Sequence, residues 1–301
     1  MKAHRIEGTW TAIVTPFSPD GAAIDHAALD RLVEDQIQGG VSGLVPCGTT
    51  GEAPTLDEAE QILLIERVVA VAKGRVPVFA GTGSFSTKKT IAASKAAIEA
   101  GADGVMVVMP YYNKPSQDGL REHVLAIARA VPSPIILYNI PGRSVVDLGV
   151  EATAQICEAA ANVVAIKDAT GNVLRCQELK RRLGDRLTVM SGDDGLVLPM
   201  MAVGASGVIS VTANVLPQKV SDVTRFVREN DRDRARAAHL ALLEIHALMF
   251  VEPNPAPAKA ALAAMGKMND SVRLPLVAVS EGGRRQITEA LARLDAAQAA
   301  R

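Results

Sequence analysis

The chain has 301 residues, 48% of them hydrophobic and 22% charged, enough for one large buried core or a core with a small appendage. Its 32 basic and 33 acidic residues leave a net charge of -1, which argues against nucleic acid or an anionic membrane as a partner. No apolar run approaches the roughly 20 residues that cross a bilayer, and the start Met1-Lys2-Ala3-His4-Arg5-Ile6-Glu7 has no signal-like apolar core, so a cytoplasmic protein is expected.

Short β-rich runs alternate with longer helical patterns, beginning with Trp10-Thr11-Ala12-Ile13-Val14-Thr15. Over 25–37, Leu29, Leu32, Val33 and Ile37 share one helical face, with Asp25 as N-cap and Gly39 just past the end. Gly43-Leu44-Val45-Pro46-Cys47 reads as the second strand. Thr55-Leu56-Asp57-Glu58 then has capping-box spacing for a helix that stops near Gly74. Six further strands are expected at 76–80, 104–109, 134–138, 163–167, 187–191 and 207–211.

Strands separated by helices predict parallel pairing. Eight strand-helix units within about 225 residues predict an α/β fold, the (β/α)8 TIM barrel, whose chains run to ~250 residues. A doubly wound open sheet is the alternative. After Val211 the strand signal stops, and the remainder is rich in Ala, Leu, Arg and Glu, broken by Pro253, Pro255, Pro257 and Pro275. The expected division is a catalytic barrel over 1–229 and a C-terminal helical appendage over 230–301.

In such a barrel, function sits on the loops that follow the strands. Lys167 ends the apolar run Asn162-Val163-Val164-Ala165-Ile166-Lys167-Asp168. A free lysine with a pKa near ~10.4 is neutral about once in 2500 molecules at pH 7, so attack on a carbonyl needs desolvation or a neighbouring cation. Val164 and Ile166 offer apolar surroundings. The competing reading has Lys167 merely ending a strand and pairing with Asp168 or a surface carboxylate.

Gly48-Thr49-Thr50-Gly51-Glu52, after the second strand, can present backbone N–H groups and two hydroxyls to a carboxylate. It lacks the lysine and spacing of a Walker A loop, and an ordinary tight loop is its alternative. Pro110-Tyr111-Tyr112-Asn113-Lys114-Pro115 follows the fourth strand and Tyr138-Asn139-Ile140-Pro141-Gly142-Arg143-Ser144 the fifth, so all three tyrosines lie at two strand ends. That clustering favours proton transfer over packing by hydrogen-bonded buried rings. Arg143 adds a cation suited to a bidentate carboxylate, unless it packs over the loop.

Ser191-Gly192-Asp193-Asp194-Gly195 offers paired aspartates at the seventh strand. His4, His26, His123, His239 and His246 all fall at the N-terminus or in helical stretches, so no metal site is expected and the aspartates are expected to cap the following helix. Cys47, Cys157 and Cys176 are odd in number and widely spaced, which suits a reducing compartment and fits no zinc spacing.

Taken together, these motifs, with Gly171-Asn172, residues 207–214 and Phe250-Val251-Glu252-Pro253-Asn254-Pro255, resemble the dihydrodipicolinate synthase branch of the pyruvate-dependent class I aldolases. N-acetylneuraminate lyase belongs to the same superfamily. The resemblance covers nearly the whole chain. It implies a Schiff base between Lys167 and pyruvate, whose carboxylate Thr50 and its loop would hold. Thr49, Tyr138 and Tyr112 would form a proton relay, with Tyr112 reaching in from a neighbouring subunit. The backbone around Ile209 would line the pyruvate pocket, Gly192 would contact substrate, and Arg143 would bind the carboxylate of L-aspartate 4-semialdehyde.

The implied product is 4-hydroxy-tetrahydrodipicolinate, in diaminopimelate and lysine biosynthesis. No metal or organic cofactor is expected, because the protonated imine is itself the electron sink. A shared Tyr112 implies a homo-oligomer, and the family suggests a tetramer made as a dimer of dimers. The alternative is another pyruvate-dependent aldolase or lyase acting on a sugar acid or other 2-oxo acid. Pro141-Gly142-Arg143-Ser144, the double Thr and residues 191–194 side with the synthase branch. A silent keto-acid sensor would keep the pocket and lose the relay, yet Lys167, Tyr138, Tyr112, Thr49 and Arg143 are all present.

The branch's feedback site for lysine uses histidine, asparagine and glutamate side chains. At the matching positions this chain carries Ala53, Glu58, Gln61, Phe85 and Lys89, and keeps only Tyr111. Lys89 places a cation where a carboxylate would receive the inhibitor's amine. Weak or absent inhibition by L-lysine is expected.

Overall fold

Eight short apolar runs become the eight strands of one parallel sheet in the computed structural model, which describes residues 5–299 and so leaves His4 outside the described residues. The chain opens with β1 (Gly8–Ala12), α1 (His26–Gln38), β2 (Gly43–Val45), α2 (Glu58–Ala72), β3 (Phe79–Gly81) and α3 (Thr87–Glu99). Next come β4 (Gly104–Val108), α4 (Gln117–Ala130), β5 (Ile135–Asn139), the one-turn α5 (Pro141–Ser144) and α6 (Val150–Ala159). The alternation ends with β6 (Val163–Asp168), α7 (Val173–Leu183), β7 (Thr188–Ser191), α8 (Val197–Ala202), β8 (Gly207–Ser210) and α9 (Pro217–Arg228). Three more helices follow: α10 (Arg232–Leu248), α11 (Ala256–Ala264) and α12 (Glu281–Ala299).

The strands lie in the order β2-β1-β8-β7-β6-β5-β4-β3, and a parallel bridge between Leu44 and Val78 joins the two ends. Leu44 N–H donates to the Pro77 carbonyl at 3.0 Å and Gly81 N–H to that of Pro46 at 2.9 Å. The ring is therefore the expected TIM barrel and not an open doubly wound sheet. Inside it lie Trp10, Val45, Phe79, Met106, Ile136, Tyr138, Ala165, Met190 and Ile209, one residue or more from each strand. Trp10 and Phe79 meet edge to face with centroids 5.2 Å apart, filling the lower barrel. Gly43 makes room for them: a Cβ there would stand 2.4 Å from the indole of Trp10.

Two local expectations shift. The first strand was expected over 10–15 but runs Gly8–Ala12. Beyond Ala12 the chain leaves the sheet, and Val14 N–H is satisfied by the Asn214 side chain at 3.0 Å. The second helix starts with Asp57, whose carboxylate accepts from Glu60 N–H while Glu60 accepts from Asp57 N–H, so the capping box lies two residues after the one expected at Thr55. Pro54 sits inside a 3-10 turn, Ala53–Thr55, and Thr55 spends its hydroxyl on the Glu52 carbonyl at 3.0 Å. Asp25 does cap α1, accepting from Ala28 N–H at 2.9 Å.

Candidate active site

Lys167 stands one residue from the end of β6, 4% exposed. Its register partners are Tyr138 on β5 and Met190 on β7, so parallel pairing puts Lys167 and Tyr138 on one face of the sheet, toward the barrel interior. The amine lies 4.5 Å from the centre of the Tyr138 ring. Burial, with help from the Arg143 charge, brings the Lys167 pKa down to about 8, against the opposing pull of Asp194.

The reading in which Lys167 pairs with Asp168 fails on geometry. Strand alternation sends the two side chains to opposite faces. The buried Asp168 carboxylate receives Arg175 Nε at 2.7 Å, Thr170 N–H at 3.1 Å and the Thr170 hydroxyl at 2.6 Å. Among the described residues no carboxylate forms an ion pair with Lys167.

After β2, Gly51 N–H and Ala53 N–H turn back to the Gly48 carbonyl and Glu52 N–H to that of Thr49. This folds the loop 48–53 into a tight concavity. Among the described residues, the backbone N–H groups of Thr49 and Thr50 find no acceptor in the chain, an arrangement suited to an anion. The Thr50 hydroxyl accepts from Asn254 Nδ2 at 3.0 Å. Thr49 and Tyr138 line the same cavity, and burial raises the pKa of the Tyr138 phenol to about 12, over the opposing effects of Arg143 and Thr49. At neutral pH the group is therefore a phenol.

Arg143 sits on α5, where the Ser144 hydroxyl ties the turn to the carbonyls of Ile140 and Val146. It is exposed, lines the cavity above the barrel and has no carboxylate partner among the described residues. Ile209 is fully buried on β8. Gly192 N–H donates to the Asp168 carbonyl at 2.7 Å, and a Cβ at Gly192 would come within 2.6 Å of that of Ala169. The lack of a side chain is what lets the β7 loop lie against the end of β6.

The cavity holds about 640 Å³. It runs from Thr49, Tyr138 and Arg143 at the barrel mouth outward between α2 and α3 to Glu58, Gln61, Lys89 and Tyr111. The outer lobe thus contains most of the positions matched to a lysine-feedback site. Tyr112 is not brought into this chain's own cavity: it is 90% exposed and has a left-handed φ of +70°. Tyr111 turns inward instead, its ring edge to face with Phe85 at 5.5 Å.

The paired aspartates divide their work. Asp193 caps the next turn through Gly195 N–H at 3.1 Å, as expected. Asp194 does not cap: its buried Oδ2 reaches β8's exit to accept from Val211 N–H at 2.9 Å and Thr212 N–H at 3.0 Å. The histidines on helices are packed; His246 Nδ1 bonds the Thr212 hydroxyl at 2.9 Å, and His123 Nδ1 that of Thr87 at 2.9 Å.

Asn254 and Lys259 take no role from the sequence, and Asp194 only that of a helix cap. Glu252-Pro253-Asn254-Pro255 stood out as a motif, but only the folded chain brings Asn254 to Thr50. Nothing singles out Lys259, one lysine in an Ala-rich helix, yet it is fully buried and burial lowers its pKa to about 8 as well. Basicity therefore does not distinguish the two lysines. Position does: Lys259 is paired with Glu52 at 2.5 Å, whereas Lys167 has an unpaired amine beside a phenol.

The family model for dihydrodipicolinate synthetases matches residues 5–294. A 4-hydroxy-tetrahydrodipicolinate synthase of Sorangium cellulosum is 71% identical over 296 residues, 98% of either chain. The solved 4-hydroxy-tetrahydrodipicolinate synthase of Methylacidiphilum fumariolicum matches with a TM-score of 0.94 at 42% identity, covering 97% of this chain and 96% of that one. The chloride-inhibited dihydrodipicolinate synthase of Acinetobacter baumannii, solved in complex with pyruvate, matches with a TM-score of 0.94 at 42% identity over 97% and 99% of the two chains.

Proposed function

The chain belongs to the dihydrodipicolinate synthetase family, and from that premise we propose that Lys167 is the residue that carries pyruvate as a Schiff base. The reaction is the condensation of pyruvate with L-aspartate 4-semialdehyde to 4-hydroxy-tetrahydrodipicolinate, a lyase-class step of diaminopimelate and lysine biosynthesis. The observation that carries the assignment is the buried, carboxylate-free amine of Lys167 at the end of β6, 4.5 Å from the Tyr138 ring.

Neutral Lys167 attacks C2 of pyruvate, and loss of water leaves a protonated imine. That imine accepts the electron pair released when a C3 proton departs, giving an enamine whose C3 attacks the aldehyde carbon. The α-amino group carried by the semialdehyde portion then attacks the imine carbon and displaces the Lys167 amine as the ring closes. Each step moves a proton, and Tyr138 is placed to move it. Because its pKa is raised to about 12, it acts first as a donor and receives a proton only after passing its own along. Thr49, which lines the same cavity, is the next member of the relay.

Thr50 and the open N–H groups of its loop hold the pyruvate carboxylate, the Ile209 backbone and Gly192 border the pyruvate, and Arg143 receives the carboxylate of the semialdehyde. Tyr112 completes the relay in a neighbouring subunit. Its 90% exposure and left-handed backbone support that reading, as does its place beyond this chain's own cavity. The assembly is a homo-oligomer, a tetramer formed from two dimers that each exchange Tyr112. Residues 1–229 form the catalytic barrel and 230–301 the appendage.

A cytoplasmic site of action accords with three buried free cysteines and with this biosynthetic reaction. Among the described residues no helix is long and apolar enough to cross a membrane.

Borohydride reduction in the presence of pyruvate, followed by peptide mapping, tests the central assignment. A reduced pyruvate adduct on the Lys167 peptide is expected. An adduct on the Lys259 peptide, or none, removes Lys167 from the role.

A further inference from the structure

The loop 48–52 is gripped from behind by the C-terminal part of the chain. Lys259, on α11, and Glu52 form an ion pair at 2.5 Å with both side chains completely buried. The second Glu52 oxygen accepts Arg273 N–H at 3.0 Å. Lys259 also donates to the Ser271 carbonyl at 2.8 Å and lies 4.1 Å from the centre of the Phe17 ring. Asn254 reaches the same loop two residues earlier, donating to the Thr50 hydroxyl at 3.0 Å.

Such a pair is a costly way to dock two surfaces. Removing two charges from water carries a large desolvation cost, and well-packed apolar replacements of buried pairs are often neutral or stabilising. Glu52, moreover, holds a left-handed φ of +55°, a conformation unfavourable for a residue with a side chain. The strained residue is the one that the pair seizes. Gly51 is pinned beside it, its carbonyl accepting the buried Thr15 hydroxyl at 2.7 Å. Asn254 acts on direction as well as place. Its amide donates to Thr50, so the Thr50 hydroxyl accepts there and keeps its one proton for another acceptor.

We infer that Lys259, Glu52 and Asn254 are positioning residues, a clamp by which the C-terminal appendage holds the loop 48–52 with its N–H groups and the Thr50 hydroxyl set to receive the pyruvate carboxylate. The inference rests on the assignment of that loop to pyruvate. It makes the appendage part of pyruvate recognition although Lys259 lines no part of the cavity. A pair that served only to join appendage to barrel would affect melting and leave the substrate constants alone.

The test is the double variant Glu52→Gln/Lys259→Met, which removes both charges at nearly constant shape, assayed beside Thr50→Ala and Asn254→Ala. The expected result is a folded protein whose pyruvate KM is raised about tenfold or more, with the semialdehyde KM within about twofold of wild type and borohydride trapping recovered at saturating pyruvate. A folded double variant with wild-type pyruvate KM, while Thr50→Ala raises it, overturns the clamp and leaves the loop assignment standing. An unchanged pyruvate KM in Thr50→Ala overturns the loop assignment and the clamp with it. Should the double variant fail to fold, Asn254→Ala decides: a raised pyruvate KM supports the clamp and a wild-type value overturns it.

Discussion

Schiff-base formation should titrate with Lys167, in a pH range set by its burial. An ordinary lysine near 10.5 is brought here to about 8. At pH 7 the neutral fraction then rises from roughly one in 3000 to roughly one in ten, a gain of about 300-fold in reactive amine, or about 3.4 kcal/mol. The assay is rapid-quench borohydride trapping of the pyruvate adduct, read by mass spectrometry across pH. The rate should climb about tenfold per pH unit below 8 and flatten above it. Tyr138, at about 12, stays a phenol throughout that range and does not distort the curve.

Two substitutions should move the plateau in opposite directions. Arg143 lowers the Lys167 pKa and Asp194 raises it, so Arg143→Ala should shift the curve to higher pH and Asp194→Asn to lower pH. Stability carries the same signature. The unfolded chain keeps the lysine proton up to about 10.5 while the folded chain releases it near 8. The burial cost is therefore fully present below pH 8 and fades as pH rises to 10.5. Lys167→Met should accordingly be more stable than wild type at pH 7, by up to ~3 kcal/mol, with the gain gone above that range. A trapping rate that keeps rising tenfold per unit beyond pH 9 would refute the claim that burial sets the reactivity of this amine.

Tyr138→Phe should lose about 100-fold or more in turnover while still binding pyruvate, and near-normal turnover would remove Tyr138 from the relay. Arg143→Ala should raise the semialdehyde KM by about ten- to a hundredfold, through loss of a charge-assisted contact, with pyruvate trapping intact at a pH above the shifted plateau; an unchanged semialdehyde KM refutes its part in specificity. Subunits carrying Tyr112→Phe, refolded with subunits carrying Tyr138→Phe, should regain about a quarter of wild-type sites if each site draws its two tyrosines from different chains. No recovery on mixing counts against the exchange. L-lysine at millimolar concentration should inhibit weakly or not at all, and inhibition at micromolar concentration contradicts the reading of Lys89.

The eight strands were legible because parallel strands buried on both faces are continuous apolar runs, and because caps such as Asp25 act within one turn of chain. Lys167, Tyr138 and the Gly48-Thr49-Thr50-Gly51-Glu52 loop were legible for a related reason: in a barrel, the end of a strand is a place in space as well as in sequence. Misplaced details came from local competition, as when Pro54 turned 53–55 into a 3-10 turn and moved the capping box to Asp57 and Glu60. Neither the freedom of Lys167 from Asp168 nor the reach of Asp194 to Val211 and Thr212 could be read locally, since each depends on partners from other elements. The buried Lys259–Glu52 pair joins residues far apart in the chain. The sequence alone determined which backbone segments form strands and which chemical groups stand at their ends. Only the tertiary structure decided which of two buried lysines keeps an unpaired amine, because burial and pairing are properties of neighbours that the chain brings together when it closes the barrel.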